Sequence, residues 1–190
     1  MRDRTSLMEQ VQSQMPAKRW AHTVGVMESA VSLAQRYGAD PKKAELAAML
    51  HDYCKYWPVE RQRSVLAAAG AEEDLLSHDK ALWHGPAAAA AIPDETGITD
   101  AEVLDAVRWH TSGRVGMSLL DKIVCLADYI EEGRDFPGVN KIRKLAEHSL
   151  EQALVAGFDS TISHLLEKGQ QIYPLTVQAR NSLLQELGSK

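Results

Sequence analysis

Cysteine is scarce: the 190-residue chain has two, Cys54 and Cys125, too few for a disulfide framework and too far apart for a zinc-type C-x-x-C pair. Buried thiols in a reducing compartment are the expectation. Long apolar runs are also missing. The longest is the short alanine stretch ending at Ile92, far below the ~18 residues of a transmembrane candidate, and the polar first sixteen residues lack a signal-peptide core. The chain therefore reads as cytoplasmic, with no membrane partner. Nor is there an excess of basic charge. Twenty-one Lys and Arg against 26 Asp and Glu leave a net charge of -5, which disfavours a general grip on nucleic acid. A phosphate-bearing ligand would need local cations. Strict apolar/polar alternation, linkers, low-complexity tracts and internal repeats are absent as well.

What remains is an ordinary globular composition, 45% hydrophobic and 25% charged. At this length folding buries roughly two-thirds of the unfolded chain's surface, so no metal is needed merely to fold. Apolar residues recur at three- and four-residue steps throughout, which predicts an all-α single domain, residues 1–190, of about nine or ten helices. Ser6 with Glu9 suggests a capping box for a first helix closed by Pro16. A long helix, Ala17 to Tyr37, is striped by Trp20, Val24, Met27, Val31 and Ala34 and stops at Gly38. Asp40 and Pro41 open a helix that is apolar on nearly all sides up to Leu50. Further helices are expected at Pro58–Ala69, after an acidic turn Glu72 to Asp74 at Pro86–Ile92, behind a Thr99/Glu102 capping box at Ala101–His110, and from Ser118 to Ile130. Two or three more follow, with breaks at Gly157 and at Gly169 to Pro174.

The residues that carry chemistry interrupt this pattern. His51 and Asp52 stand at the end of the buried helix, where a desolvated carboxylate is costly unless compensated; a metal ion is the simplest compensation. For a lone pair, helix capping by His51 and pairing of Asp52 with Lys55 would be the better explanation. His22 shares a helix face with Arg19, and Asp128 sits within the apolar Ser118–Ile130 helix, where an Asp is more often a boundary residue reaching water. Taken together, two imidazoles and two carboxylates from three helices offer the mixed nitrogen and oxygen shell that suits Fe, Mn, Co, Ni or Zn.

The order His22, His51-Asp52, Asp128 resembles the H…HD…D signature of the HD-domain metal-dependent phosphohydrolases. The strings Lys18-Arg19-Trp20-Ala21-His22, Leu50-His51-Asp52-Tyr53-Cys54-Lys55, Trp109-His110-Thr111 and Leu126 through Arg134 are similar to the bacterial YqeK family of symmetrical dinucleoside tetraphosphatases, over nearly the whole chain. The resemblance implies hydrolysis of diadenosine tetraphosphate to two ADP, with iron as the usual metal and one ion rather than two. It places His22, His51, Asp52 and Asp128 on the metal, in a core at residues 17–134 that helices in residues 139–187 complete as a nucleotide site. A metal-bound water has its pKa lowered towards ~7, and the same ion polarises the phosphoryl group under attack. Asp52 is then the candidate to accept or orient the water proton.

His84, at the N-terminus of the alanine helix, and His110, with Thr111 beside it, are expected at the phosphates or as proton donors; a second metal is the other role the resemblance allows them. As isolated residues they would be a cap and a boundary histidine. Arg19, Lys55 and Arg134 are the matching cations. Tyr53, Cys54 and the segment Gln171, Ile172, Tyr173, Pro174, Leu175 and Thr176 also fall in the implied nucleotide site, although a Pro-terminated connection would suffice to explain that segment. His78, His148 and His164 read as surface or boundary residues, and Trp57, Trp83 and Trp109 as core. Substrate and product would be a dinucleoside polyphosphate and ADP or GDP. A homodimer is compatible with an exposed helical face. The alternatives are another HD nucleotide phosphohydrolase, either a nucleotidase or a guanosine-tetraphosphate hydrolase, and a non-catalytic nucleotide sensor.

Overall fold

A computed structural model describes residues 3–71 and 73–189. Among them there are eleven α-helices, one short 3-10 turn and no strand. In chain order the helices are α1 Arg4–Ser13, α2 Ala17–Tyr37, α3 Pro41–Leu50, α4 Val59–Ala68, α5 Glu73–Ser77, α6 His84–Thr96, α7 Ala101–Trp109, α8 Leu119–Ile130, α9 Val139–Leu145, α10 Leu150–Glu167 and α11 Pro174–Gly188; the 3-10 turn is Lys80–Leu82. The count exceeds the nine or ten expected because α5 and the 3-10 turn are too short to leave a periodic apolar pattern. The expected acidic turn falls on α5, with Glu72 outside the described residues.

Several boundaries follow local chemistry directly. Asp40 accepts from the backbone N–H groups of Lys42 and Lys43 with Pro41 behind it, and Ser118 and Asp121 form a full capping box for α8. Gly38 takes the left-handed conformation, φ 78°, that ends α2. Elsewhere a neighbouring residue took the cap. Asp3, not Ser6, receives the first N–H of α1, and Asp100, not Thr99, caps α7. Helix α6 starts at His84, two residues before Pro86, and runs through Pro93 to a left-handed Gly97.

Gly157 does not break a helix; it lies within α10. A Cβ there would stand 3.1 Å from the Tyr129 ring, so this glycine lets α10 approach α8. The α2 stripe is also rotated from expectation: Thr23, Val26, Met27, Ala30, Leu33 and Ala34 are buried, while Val24 and Val31 are half-buried. Helix α2 packs against both α3 and α8, so it needs a wider apolar face than one stripe.

Two strongly buried helices carry the polar exceptions. On α3, Ala44, Ala47, Ala48, Met49 and Leu50 are buried, and on α8 every residue from Leu120 to Ala127 is buried. Small alanines let α3 lie close to α2, α7 and α8. The C-terminal ends of α3, α7 and α8 meet the N-terminal end of α6 and the first turns of α2, and the candidate site is at that meeting.

Candidate active site

Helix α2 supplies Arg19 and His22. The end of α3 supplies His51 and Asp52, and the turn after it Lys55. Helix α6 supplies His84 at its first residue, the end of α7 supplies His110 and Thr111, and α8 supplies Asp128, with Arg134 in the loop beyond. The structure brings all of these into one cluster. His51 Nε2 lies 3.1 Å from Asp52 Oδ2 and 3.9 Å from Asp128 Oδ1. His22 Nε2 lies 3.0 Å from Asp128 Oδ1 and 4.0 Å from Asp52 Oδ2. His84 Nε2 is 3.1 Å from Asp52 Oδ1 and 3.0 Å from His110 Nε2.

Three of the imidazoles are oriented the same way. His51 Nδ1 donates to Ala48 O at 2.6 Å, His110 Nδ1 donates to Val107 O at 2.7 Å, and His22 Nδ1 donates to Glu131 Oε1 at 3.0 Å. Each ring holds its Nδ1 hydrogen outward, so Nε2 is the atom turned into the cluster. His22 Nε2, His51 Nε2 and Asp52 Oδ1 are buried with no hydrogen-bond partner. Orphaned acceptors of this kind are costly unless a cation meets them. Two overlapping ligand groups form: His22, His51 and Asp128, and His51, Asp52 and His110, each with donor atoms within 4.8 Å of one another. The donor set is imidazole nitrogen and carboxylate oxygen, which fits a divalent transition metal.

Electrostatics divides the cluster in two. Burial opposes ionisation of Asp52 and Asp128, but His51, Lys55 and other neighbours around the first, and His22, His51 and Arg134 around the second, outweigh it and hold both carboxyls well below their usual range. Burial likewise works against a charged His51, yet the adjacent Asp52 pushes its pKa up. His110 goes the other way. Burial, then the neighbouring His84 and His51, drives it well below the usual imidazole value, and burial also lowers His84. Both carboxylates are thus ready to bind a cation, and His110 is neutral with its one N–H already committed.

The cations line up as the sequence suggested. Arg19 contacts the fully buried Asp52 carboxylate, and Lys55 Nζ lies 3.3 Å from its other oxygen. Arg134 donates from Nε to the Asp128 carbonyl at 2.7 Å and from Nη2 to its carboxylate. The cleft beside them, about 560 Å³, is lined by His110, Thr111, Asp128 and Arg134 on one wall and by the second half of α10 on the other. The resemblance places the C-terminal helices beside the site, but it does not single out Ser160, Thr161 or His164. His164 is exposed, as expected of a surface histidine, but it faces this cleft.

The side chains of Tyr53 and Cys54 are wholly buried. The Tyr53 hydroxyl accepts from Gln10 Nε2 at 2.9 Å and its ring packs on Trp57, while burial pushes the Cys54 thiol pKa up. Both side chains belong to the core, which leaves the backbone of this turn as the part that can face a ligand. Within the segment 171–176, Thr176 is buried and Gln171 is exposed, while Tyr173, Pro174 and Leu175 line a second cavity of about 480 Å³ with Leu75, Pro86 and Trp109. His78 packs edge-on against Tyr173, ring centroids 4.9 Å apart.

Glu131 was missed altogether. It caps α8 and is buried, and apart from its place three residues after Asp128, an acidic pair at a helix end reads as surface. A usable signal existed in Gly25, a glycine inside α2 one turn beyond His22.

Comparison with known proteins agrees with this geometry. The family model described as HD domain matches residues 19–133. A Bacillus subtilis protein named symmetrical bis(5'-nucleosyl)-tetraphosphatase is 47% identical over 92% of this chain and 94% of its own length. A Halalkalibacterium halodurans protein of the same name is 44% identical over 97% and 98%. A crystal structure from Clostridium acetobutylicum, described as a predicted HD superfamily hydrolase involved in NAD metabolism, superposes with a TM-score of 0.93 at 37% identity, covering 98% of this chain and 99% of that one.

Proposed function

The chain belongs to the HD-domain family, and from that premise we propose that it hydrolyses dinucleoside tetraphosphates symmetrically, releasing two ADP from diadenosine tetraphosphate. The observation that carries this reading is the set of inward-facing Nε2 atoms at His22 and His51 beside two ionised carboxylates that three cations contact, next to a cleft that Asp128 and Arg134 line. Relatives that match nearly the full chain bear the name of that activity.

His22, His51, Asp52 and Asp128 are the residues that would hold one metal ion, iron being the first candidate and Mn, Co, Ni or Zn having the same donor preference. Such an ion supplies Lewis acidity and a water nucleophile at neutral pH. Asp52 reaches two sides of the site: Oδ2 faces His51, and Oδ1 faces Lys55 and His84. Oδ1 is the oxygen we assign to accept the proton of an attacking water. Arg19, Lys55 and Arg134 offset phosphate charge that an acidic protein would otherwise repel.

The leaving group is a nucleoside diphosphate, whose terminal phosphate is a weak base with its second pKa near ~6, so charge neutralisation matters more than protonation. We assign that charge to His84, Lys55 and Thr111, which lie together: Lys55 Nζ is 3.4 Å and Thr111 Oγ1 3.5 Å from His84 Nε2. His110, neutral and donating from Nδ1 to Val107, serves as an acceptor through Nε2 rather than as a proton donor.

A dinucleotide needs two nucleoside subsites. The α10 cleft and the Tyr173–Leu175 cavity share no lining residue and flank the end of α7 from two sides; each has the volume of a small-ligand pocket. We assign one nucleoside to each. The single domain over residues 1–190 follows from this assignment, since α10 and α11 complete what α2 to α8 begin. The two buried, unpaired cysteines suit a cytoplasmic setting, and among the described residues no helix is long and apolar enough to cross a membrane.

The test is product analysis. Metal-loaded protein with diadenosine tetraphosphate, resolved by anion exchange, should yield ADP as the sole early product. AMP with ATP would overturn the symmetric cut, and phosphate or pyrophosphate released only from guanosine tetraphosphate or a mononucleotide would move the activity to another HD hydrolase.

A further inference from the structure

We propose that Glu131 is the positioning residue for the His22 ligand, and that Gly25 and Gly133 are glycines because they house its carboxylate. This rests on the metal-site reading above.

The Glu131 side chain is 5% exposed, and each of its oxygens has a specific occupant. Oε1 accepts from His22 Nδ1 at 3.0 Å, and Oε2 accepts from the Gly133 backbone N–H at 2.6 Å. The first bond holds His22 in the tautomer whose Nε2 faces Asp128, 3.0 Å away. The backbone of the same turn is held independently: Arg143 of α9 donates from Nη2 to Glu131 O at 2.8 Å and to Arg134 O at 2.9 Å, and from Nε to Ile130 O at 3.0 Å. Helix α8 therefore delivers one ligand, Asp128, and three residues later the group that orients another.

The glycines make the arrangement visible. A Cβ at Gly25 would lie 2.6 Å from Glu131 Oε2 and 3.4 Å from its Cδ, and a Cβ at Gly133 would lie 3.1 Å from Oε2. Gly25 sits in the interior of α2, where glycine weakens the helix relative to alanine. Packing against backbone does not require it; the atoms in its way are those of the Glu131 side chain. A Cβ there would displace the carboxylate that holds His22.

Carboxylate partners of metal-bound histidines fix ring orientation and raise ligand basicity, and losing one costs roughly 10–100-fold in metal affinity. The experiment is Mn²⁺ titration of the metal-stripped full chain by calorimetry, with the thermal melt of each metal-free protein alongside. Glu131→Ala should bind Mn²⁺ about 10–100-fold more weakly than the parent. Glu131→Gln should fall between, because it keeps an acceptor for His22 but leaves the Gly133 N–H facing an amide. Gly25→Ala should also bind more weakly even though alanine favours the helix, which separates a displaced carboxylate from general unfolding. Long-range ¹⁵N-histidine spectra of the metal-free proteins at pH 8 should show His22 protonated at Nδ1 in the parent and redistributed in Glu131→Ala. Parental Mn²⁺ affinity in folded Glu131→Ala and Gly25→Ala would overturn the proposal. A parent that takes up no Mn²⁺, Fe²⁺ or Zn²⁺ would instead overturn the metal reading, and an unchanged His22 tautomer in Glu131→Ala would then overturn the Glu131 assignment on its own.

Discussion

Asp52→Asn removes one negative charge from the centre of the cluster at almost constant volume, and its consequences separate into two magnitudes. The first is structural. The carboxylate is fully buried, while its Arg19 and Lys55 partners keep 15% and 34% of their side-chain exposure. Breaking a fully buried pair costs about 3–5 kcal/mol; here water reaches both cations, so we expect about 1–3 kcal/mol after screening. At about 2–4 °C per kcal/mol for a chain of this size, the metal-free melt should fall by about 2–12 °C. The second is linkage. A metal at one hundred times its Kd stabilises the parent by about 2.7 kcal/mol, a rise of about 5–11 °C, and most of this rise should vanish when an uncharged amide replaces the ligand. Turnover should drop at least about 100-fold, because losing a residue that merely supports a ligand already costs that order in metal affinity or activity. Thermal melts with and without Mn²⁺, and ADP release measured below both melting points, read all three effects. A variant that gained the full metal-dependent rise and released ADP at the parental rate would refute Asp52 as a ligand and proton acceptor.

Arg134→Ala should raise KM for diadenosine tetraphosphate by about 10–100-fold, the equivalent of a charge-assisted hydrogen bond, with kcat less affected; an unchanged KM would place Arg134 on Asp128 alone. His110→Asn should flatten the acid limb of stability in the metal-free protein. The native state holds His110 neutral, so below the unfolded value near ~6.5 the unfolded chain takes up the extra proton and stability falls with pH. Denaturant melts between pH 7 and pH 5 should show the parent losing stability faster than the variant. Gly113→Ala should destabilise without touching the site. Gly113 has φ 66°, and a Cβ would meet Phe158 Cζ at 2.7 Å and the Ala179 Cβ at 2.8 Å. Left-handed strain of about 1–2 kcal/mol and overpacking of about 1–3 kcal/mol predict a melt about 4–20 °C lower, with the Mn²⁺ affinity of the folded protein unchanged.

Much of the fold is legible in short stretches of chain because helix ends are decided by one or two residues. Asp40 with Pro41, Ser118 with Asp121, and the glycines at 38 and 169 act through their own backbone and side-chain chemistry. Competition among neighbours is less legible: Asp3 against Ser6, and Asp100 against Thr99, differ only in which carboxylate or hydroxyl meets the free N–H groups. Gly157 and Pro93 look like breaks, yet each lies within a helix, Gly157 because Tyr129 of a distant helix needs the space of a missing Cβ.

The site divides along the same line. That His51, Asp52 and Asp128 carry polar atoms inside apolar helices is written in the sequence, since periodicity alone says those helices are buried and burial makes an unpaired charge costly. Their meeting with His22, His84 and His110 depends on how five helix ends converge, which spacing within any one helix does not encode. Tertiary packing alone sends the Tyr53 and Cys54 side chains into the core while Asp52 and Lys55 turn to the histidine cluster. It also makes α10 the far wall of the cleft and turns Glu131 onto His22. Residue type determines what a group can do, through charge, hydrogen-bonding capacity and helix preference; which partner it finds is decided by distances between segments far apart in the chain.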